Sequence, residues 1–271
     1  MKRYVLSVLI ACVCTLLKAQ DSTTTTVDTA ADCYNAFFAS VEKIINPSAV
    51  TLILKEKHKV SLYGFLQKNV DEEVKLYGLK DLDGDGKKEL IIHNFSGGAH
   101  CCDEFFFFKS AGKNTYQFTN NLHAGDVCIT KDTFSYSFYE MFGYFFTCYA
   151  CSLSNSDEVP AGLQPVTSVD LYYKNGKLNV RPGDEWLKKT ILKNLSMLKK
   201  MKYTKVAKPG DFDDGLRKEF ALNLVVYYYS YGRKIEDVKR LFDTYYRFPD
   251  APNILKEFKS YLIDISKQNS F

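Results

Sequence analysis

VKLYGLKDLDGDGKKELIIHNF, residues 74–95, is an acidic, glycine-containing loop between two apolar segments. Residues 74–79 and 90–95 contain Val, Ile, Tyr and Phe, the residue types that favour strands. The Asp-Gly pairs between them are typical of a turn. The stretch therefore predicts two strands joined by the acidic loop, and it places a β-sheet at the centre of the fold.

Further strand signals follow this stretch along the chain. Four consecutive phenylalanines at residues 105–108 are too few for a helix and suit a strand buried on both faces. Residues 134–139 and 143–149 read as another strand pair. The clearest hairpin covers residues 169–178, where Asn175-Gly176 is the favoured type I′ turn because both central residues need positive φ.

Helical patterns lie on both sides of this sheet region. Asp184 can cap the second predicted helix, which Pro209-Gly210 ends, and Leu187, Ile191, Leu195 and Leu198 form its apolar stripe. The order of helix, sheet and helices predicts an α+β fold with an N-terminal helix, an antiparallel, sandwich-like core and a helical C-terminal region. The predicted helices cover residues 33–45, 184–208, 213–231, 236–246 and 252–266.

These patterns divide the 271 residues into four parts. Residues 1–19 are predicted to be a signal peptide and residues 20–30 a threonine-rich tether. Residues 31–181 form a mainly β domain that carries the acidic loop, and residues 182–271 form the helical C-terminal region. The total length suits one large domain or two small ones.

The N-terminus has the pattern of an export signal. Lys2 and Arg3 precede an apolar run over residues 4–17, which is too short to span a membrane, and cleavage near Ala19 is expected. Residues 9–12 also resemble a bacterial lipobox, which would place a lipid anchor on Cys12. Because the apolar run continues past Cys12, we expect the signal-peptide alternative. The protein is then exported to the periplasm, the cell surface or the medium, with no transmembrane segment.

The net charge does not favour binding to nucleic acid. Removing residues 1–19 takes away three lysine or arginine residues and no acids, so the formal charge falls from +4 to about +1 (4 − 3). A basic amphipathic helix from Lys188 to Lys208 could contact an anionic membrane surface. The alternative, which we favour, is a solvated lysine face whose apolar stripe packs on the sheet.

The acidic loop has the residue types of a calcium site. Calcium binds six to eight oxygens, and carboxylates at alternating positions can turn inward together around one ion. Gly86 allows the sharp turn that presents a main-chain carbonyl. The predicted ligands are the carboxylates of Asp81, Asp83, Asp85 and Glu89 and the carbonyl of Lys87.

This loop resembles the calcium loops of FG-GAP and VCBS repeats, as found in integrin α-chain propellers, with the pattern D-x-D-x-D-G-x-x-[DE]-hydrophobic. The resemblance covers residues 80–92 in a single copy, whereas those families repeat the unit to close a propeller. An EF-hand is a poorer match, because its twelfth position needs a bidentate acid and Ile92 stands here. The alternative is an Asp-Gly turn without an ion, but four acids in one loop would repel each other without a cation.

Six cysteines remain after cleavage at Ala19, and an even number in an exported chain favours disulfides. The sequence does not select a pairing. Cys148 and Cys151 have C-x-x-C spacing, but they lie in an aromatic strand region, so a structural role is expected rather than redox catalysis. The disulfide candidates are Cys33, Cys101, Cys102, Cys128, Cys148 and Cys151.

The segment SGGAHCC, residues 96–102, follows the second strand and resembles a segment of exported bacterial proteins in which a similar acidic loop precedes it. Three alternatives remain for His100. It is a structural residue beside a disulfide-pinned turn, a zinc ligand together with a cysteine and His93, or part of a Cys–His nucleophile pair. The first is favoured because oxidised cysteine is the usual state outside the cytosol.

Together these observations predict an exported, calcium-stabilised, disulfide-containing binding or structural module without evident catalysis. Its ligand, a protein or a glycan, cannot be identified from the residues. One alternative is a secreted hydrolase with His100 and Asp103 as acid–base groups. Another is a membrane-surface protein that uses the lysine-rich helix.

Overall fold

The computed structural model describes residues 35–70, 76–95, 103–124, 127–130, 133–149, 151, 153, 159–205 and 215–271. Within these residues the chain forms two β-sheets and helices on both sides of them in sequence. The α+β prediction, with an N-terminal helix and a helical C-terminal region, is confirmed.

The first sheet has six strands in the order β2-β1-β6-β5-β4-β3. All neighbours are antiparallel except β1 and β6, which are parallel, so the sheet is mixed and the purely antiparallel prediction was wrong for this pair. Three-residue strands carry too little period-2 pattern to be read from sequence, which explains the omission of β1 and β2. The strands are β1 (Thr51–Ile53), β2 (Lys59–Ser61), β3 (Leu76–Lys80), β4 (Glu89–Phe95), β5 (Asp103–Gly112) and β6 (Thr115–Ala124).

The second sheet has four antiparallel strands in the order β10-β9-β8-β7. The predicted hairpin is its β9–β10 pair, and Asn175 and Gly176 have φ values of 53° and 76°, as a type I′ turn requires. The strands are β7 (Val127–Thr130), β8 (Thr133–Ser137), β9 (Ser168–Lys174) and β10 (Lys177–Val180).

The strand predicted at residues 143–149 does not form; residues 139–147 are turns and bends. Phe142 and Phe145 are buried from this compact segment rather than from a strand face. The chain folds back so closely that a Cβ atom on Gly143 would lie 2.5 Å from the Tyr149 ring. Packing of these rings, which the local residue pattern does not reveal, overrides their strand propensity.

Six α-helices lie among the described residues. Residues 35–39 are the described part of α1, which ends before residue 45 because Glu42 forms an antiparallel bridge with Leu79. Helix α3 ends at Leu198, so the predicted helix from Lys188 to Lys208 was wrong in length. Beyond Leu198 the chain turns, and Tyr203 stacks on Phe248 with ring centroids 5.4 Å apart. The other helices are α2 (Leu62–Asn69), α3 (Glu185–Leu198), α4 (Leu216–Ser230), α5 (Ile235–Tyr245) and α6 (Ala251–Gln268).

Two hydrophobic cores lie on opposite faces of the first sheet. The larger core joins its inner face to the second sheet and to α3, α4, α5 and α6. The smaller core lies on the outer face, where α2 covers part of the sheet. The acidic loop lies at the end of β3 and β4, at the edge of the first sheet.

Candidate metal centre

The acidic loop closes the antiparallel pair β3–β4, whose last register partners are Lys80 and Glu89. Its sharp turns occur at Gly84 and Gly86, with φ values of 74° and 84°. Both glycines have open space where a Cβ atom would lie, so the backbone conformation rather than crowding requires glycine there. The Asp-Gly-Asp-Gly sequence is therefore the local cause of the loop shape.

Aspartate side chains organise this loop by accepting main-chain hydrogen bonds. Asp81 Oδ1 accepts from the Gly84 N–H at 2.8 Å, and Asp81 Oδ2 accepts from the Gly86 N–H at 2.9 Å. The exposed Asp85 accepts from the Lys87 N–H at 2.7 Å. These bonds curl the loop around Asp81.

Three carboxylates converge inside the curled loop. One oxygen each of Asp81, Asp83 and Glu89 lies within 4.8 Å of the other two. Calcium–oxygen distances are about 2.3–2.6 Å, so two ligands on opposite sides of one ion are at most about 5 Å apart. The three oxygens therefore fit a single calcium ion. Asp85, another predicted ligand, is exposed, and its carboxylate is not part of this group.

The electrostatics of Glu89 indicate an excess of negative charge. Its side chain is buried, and burial together with the nearby Asp83, Asp85 and Asp81 raises the pKa of its carboxyl to about 7. The Leu82 N–H, which donates to Glu89 Oε2 at 2.9 Å, opposes this rise. A bound cation would relieve the repulsion and favour the ionised form.

The two lysines that flank the loop interact elsewhere. Lys88 pairs with Glu42 at the surface. The Lys80 ammonium donates to Ser40 Oγ at 2.9 Å and lies 4.7 Å from the centroid of the Phe37 ring. The loop carboxylates therefore gain no direct ion pair from either side chain.

The loop also contacts the second sheet. Asp83 Oδ2 accepts a hydrogen bond of 2.8 Å from the backbone N–H of Asn175, in the β9–β10 turn. A surface cleft of about 520 Å³ lies between the loop and this hairpin, and Tyr172 and Arg181 line its far side. Asp83 thus belongs both to the carboxylate group and to the contact between the two sheets.

His93 and Asp103 form a buried pair that sequence reasoning missed. His93 Nε2 lies 2.6 Å from Asp103 Oδ1, and the His93 ring centroid is 4.7 Å from that of Phe105. The two side chains are diagonal neighbours on β4 and β5. Knowledge of the strand register would therefore have predicted their contact. Asp103, an acid–base candidate of the hydrolase alternative, is 4% exposed and pairs with His93. His100 lies outside the described residues.

The cysteines are described in part. Cys148 and Cys151 are disulfide-bonded across a turn, with Cα atoms 4.9 Å apart, and Cys128 is also disulfide-bonded. Cys33, Cys101 and Cys102 lie outside the described residues, as do the predicted signal peptide and the lipobox cysteine Cys12.

In the described ranges no helix has both the length and the apolar character needed to cross a membrane. Comparison of the chain with protein-family models, with curated proteins and with solved structures gives no match. The resemblance of residues 80–92 to FG-GAP and VCBS calcium loops therefore stays a prediction from the sequence.

Proposed function

We propose that this chain is an exported, calcium-stabilised and disulfide-containing module, and that its acidic loop fastens the two sheets to each other. The observation that carries the proposal is the position of Asp83. It shares a group of three converging carboxylates with Asp81 and Glu89, and it also accepts a hydrogen bond from Asn175 of the other sheet. An ion held by this group would order the loop and the contact between sheets together.

Asp81, Asp83 and Glu89 are the residues that would hold calcium, which supplies positive charge and oxygen coordination at this point when bound. Asp85 adds negative charge nearby, and the Lys87 carbonyl remains a further predicted ligand. Extracellular calcium sites have dissociation constants of about 10⁻⁴–10⁻³ M. At tenfold excess over the dissociation constant, calcium would stabilise the fold by about 1.4 kcal/mol, from RT ln 11.

Calcium titration calorimetry tests the site directly. We expect one ion to bind the wild type, and we expect Asp83→Asn and Glu89→Gln each to weaken binding at least about tenfold, since each removes a charged ligand. Asp243→Asn, at an exposed acid on α5, is the matched control and should bind as the wild type does. Unchanged calcium affinity in Asp83→Asn and Glu89→Gln would show that these two residues are not calcium ligands.

Export is proposed from the apolar run at residues 4–17 and is supported by the Cys148–Cys151 disulfide, a bond typical of oxidising compartments. Expression of the full chain in a bacterium, followed by fractionation and intact mass, tests it. A mature chain that begins near residue 20 outside the cytoplasm is expected. A lipid-modified Cys12 would support the anchored form instead, and an uncleaved cytoplasmic chain would contradict export.

A non-catalytic role is favoured by the burial of the His93–Asp103 pair, which leaves neither side chain open at the surface. The module would act by binding a protein or glycan partner on its surface. Hydrolysis of generic ester, peptide or glycoside substrates by purified protein, lost in Asp103→Asn, would contradict this part of the proposal.

A further inference from the structure

A second concave site lies on the outer face of the first sheet, and no residue of the acidic loop lines it. Helix α2 and the β1–β2 turn border an open surface cavity of about 400 Å³ there, a size within the usual range of small-molecule pockets. Its wall is mainly apolar and its rim is basic. The wall consists of Leu54, Phe65, Phe106 and Phe118, and the rim of Lys55 and His58.

The aromatic wall follows from the strand pattern. The Phe65 ring meets Phe106 edge-on at 5.3 Å between centroids, and Phe118 meets Phe108 at 5.6 Å. Phe65 and Phe108 are buried, whereas Phe106 and Phe118 remain half-exposed to the cavity. Concave apolar surface of this kind is favourably covered by an apolar ligand.

The rim gives the ligand a preferred charge. Residues 55–59 hold three lysines and a histidine against one acid, Glu56, and all five side chains are exposed. The Lys55 ammonium lies 5.6 Å from the centroid of the Phe118 ring, so a cation stands directly beside the apolar wall. The amide of Asn121, also at the cavity, already donates to Gln268 O at 2.6 Å and accepts from Ser270 Oγ at 2.7 Å. The basic rim is therefore the polar partner that the cavity offers.

The turn that carries the rim has a strained backbone. Glu56 and Lys57 have φ values of 59° and 62°, in the left-handed region that residues other than glycine avoid. The Leu54 N–H donates to His58 O at 2.7 Å and closes the turn. This conformation holds Lys55 and His58 at the mouth of the cavity, and such strain is common in ligand clamps.

We propose that this cavity binds a small apolar carboxylic acid, such as a medium-chain fatty acid. The hydrocarbon would cover Phe106 and Phe118, and the carboxylate would lie beside Lys55. The cavity is independent of the acidic loop, so the proposal does not rest on calcium.

Three ten-carbon probes of different charge test the charge preference. Decanoate, 1-decanol and decyltrimethylammonium, each below its aggregation concentration, are titrated into the full chain by calorimetry, once in EGTA and once with calcium. We expect decanoate to bind most tightly and the cation most weakly, with the same order in both buffers. Equal affinity for the three probes, or no saturable binding of decanoate, would overturn the proposal. If the full chain shows no calcium binding but still binds decanoate, the calcium site is wrong and the proposal for this cavity is supported.

Two variants locate the site. Lys55→Met, which keeps the side-chain stem of an exposed residue, should weaken decanoate about fivefold and leave decanol unchanged. Phe118→Ala should weaken both ligands about tenfold, with far-UV circular dichroism as the folding check. Lys259→Met, at an exposed position on α6, is the control and should change neither. If Lys55→Met binds decanoate as the wild type does, or if amide shifts on decanoate binding map away from β5 and β6, the site is wrong.

Discussion

Lys218 on α4 allows a sharp stability test of the packing described above. Its side chain is 2% exposed, and its ammonium donates to three main-chain carbonyls: Gly143 O at 3.3 Å, Tyr149 O at 3.1 Å and Cys151 O at 3.5 Å. The same ammonium lies 4.0 Å from the centroid of the Tyr139 ring. Three donors thus meet three acceptors, and α4 holds the turn that ends in the disulfide.

Substitution Lys218→Met keeps the length and the apolar stem but removes every donor. Hydrogen bonds to a charged group contribute about 1.5–3 kcal/mol each, and an unpaired buried acceptor costs about 1–3 kcal/mol. The methionine variant also avoids the desolvation cost of a buried ammonium, and this offsets part of the loss. We expect the free energy of unfolding to fall by about 3 kcal/mol, as is typical when one partner of a buried charged network is removed.

Urea unfolding followed by circular dichroism measures this loss as a lower midpoint at an unchanged slope. Lys239→Met is the control, since Lys239 is an exposed lysine on a neighbouring helix that pairs with Asp243, and it should cost at most about 0.5 kcal/mol. If the unfolding free energies of Lys218→Met and of this control differ by less than about 1 kcal/mol, the hydrogen bonds of Lys218 to the three carbonyls contribute far less than their geometry implies.

Three further predictions concern two buried polar side chains and the disulfide. Burial raises the pKa of the Glu219 carboxyl from 4.5 to about 7, so the native state binds this proton more tightly than the unfolded state and loses stability as the pH rises through that window. Glu219→Gln should therefore gain on the order of 3 kcal/mol relative to the wild type between pH 4.5 and 8 in urea titrations, and a pH-independent difference would contradict this. Asn269 Nδ2 donates to Tyr136 Oη at 3.1 Å, and Asn269 Oδ1 accepts from the His123 N–H at 2.8 Å. Asn269→Ala should cost about 2 kcal/mol in thermal unfolding, whereas a neutral effect would mean that the C-terminal segment is not anchored there. Replacing Cys148 and Cys151 by serine should cost about 2 kcal/mol in urea, because the disulfide closes only a short loop, and a cost above 4 kcal/mol would contradict that entropic argument.

Local chemistry explains which parts of the fold could be predicted. Asn175-Gly176 specifies a hairpin because its two residues tolerate positive φ, and the turn has that form. Asp184 caps α3 by accepting from the Leu187 N–H at 2.8 Å, as its position before the apolar stripe predicted. These signals act within a few residues, so neighbours in sequence are enough to read them.

Long-range packing explains what could not be predicted. Arg217, Lys218 and Glu219 are consecutive charged residues, yet all three are buried on α4. Their environment is distant in sequence: Arg217 Nε donates to Asp250 Oδ2 at 2.8 Å, for example, and Lys218 reaches the 143–151 turn. Periodicity would assign such a run to a solvent face, so only the tertiary structure reveals its role.

The candidate metal site shows the same division. The alternating acids predicted that Asp81, Asp83, Asp85 and Glu89 turn inward together, and the carboxylates of Asp81, Asp83 and Glu89 do lie close to one another. Asp85 is not part of that group, and the Asp83–Asn175 contact depends on the docking of two sheets. Neither follows from the spacing of residues within the loop.

Thermal unfolding in EGTA and in millimolar calcium, for the wild type beside Asp83→Asn and Asp85→Asn, tests the central claim most directly. A stabilisation of about 1.4 kcal/mol corresponds to a rise of roughly 3–6 °C for a chain of this size. We predict this rise in the wild type, most of it in Asp85→Asn, and at most about a third of it in Asp83→Asn, because tenfold weaker binding reduces RT ln 11 to RT ln 2. A wild type that does not respond to calcium, or an Asp83→Asn variant that responds as strongly as the wild type, would contradict a calcium ion that fastens the two sheets through Asp83.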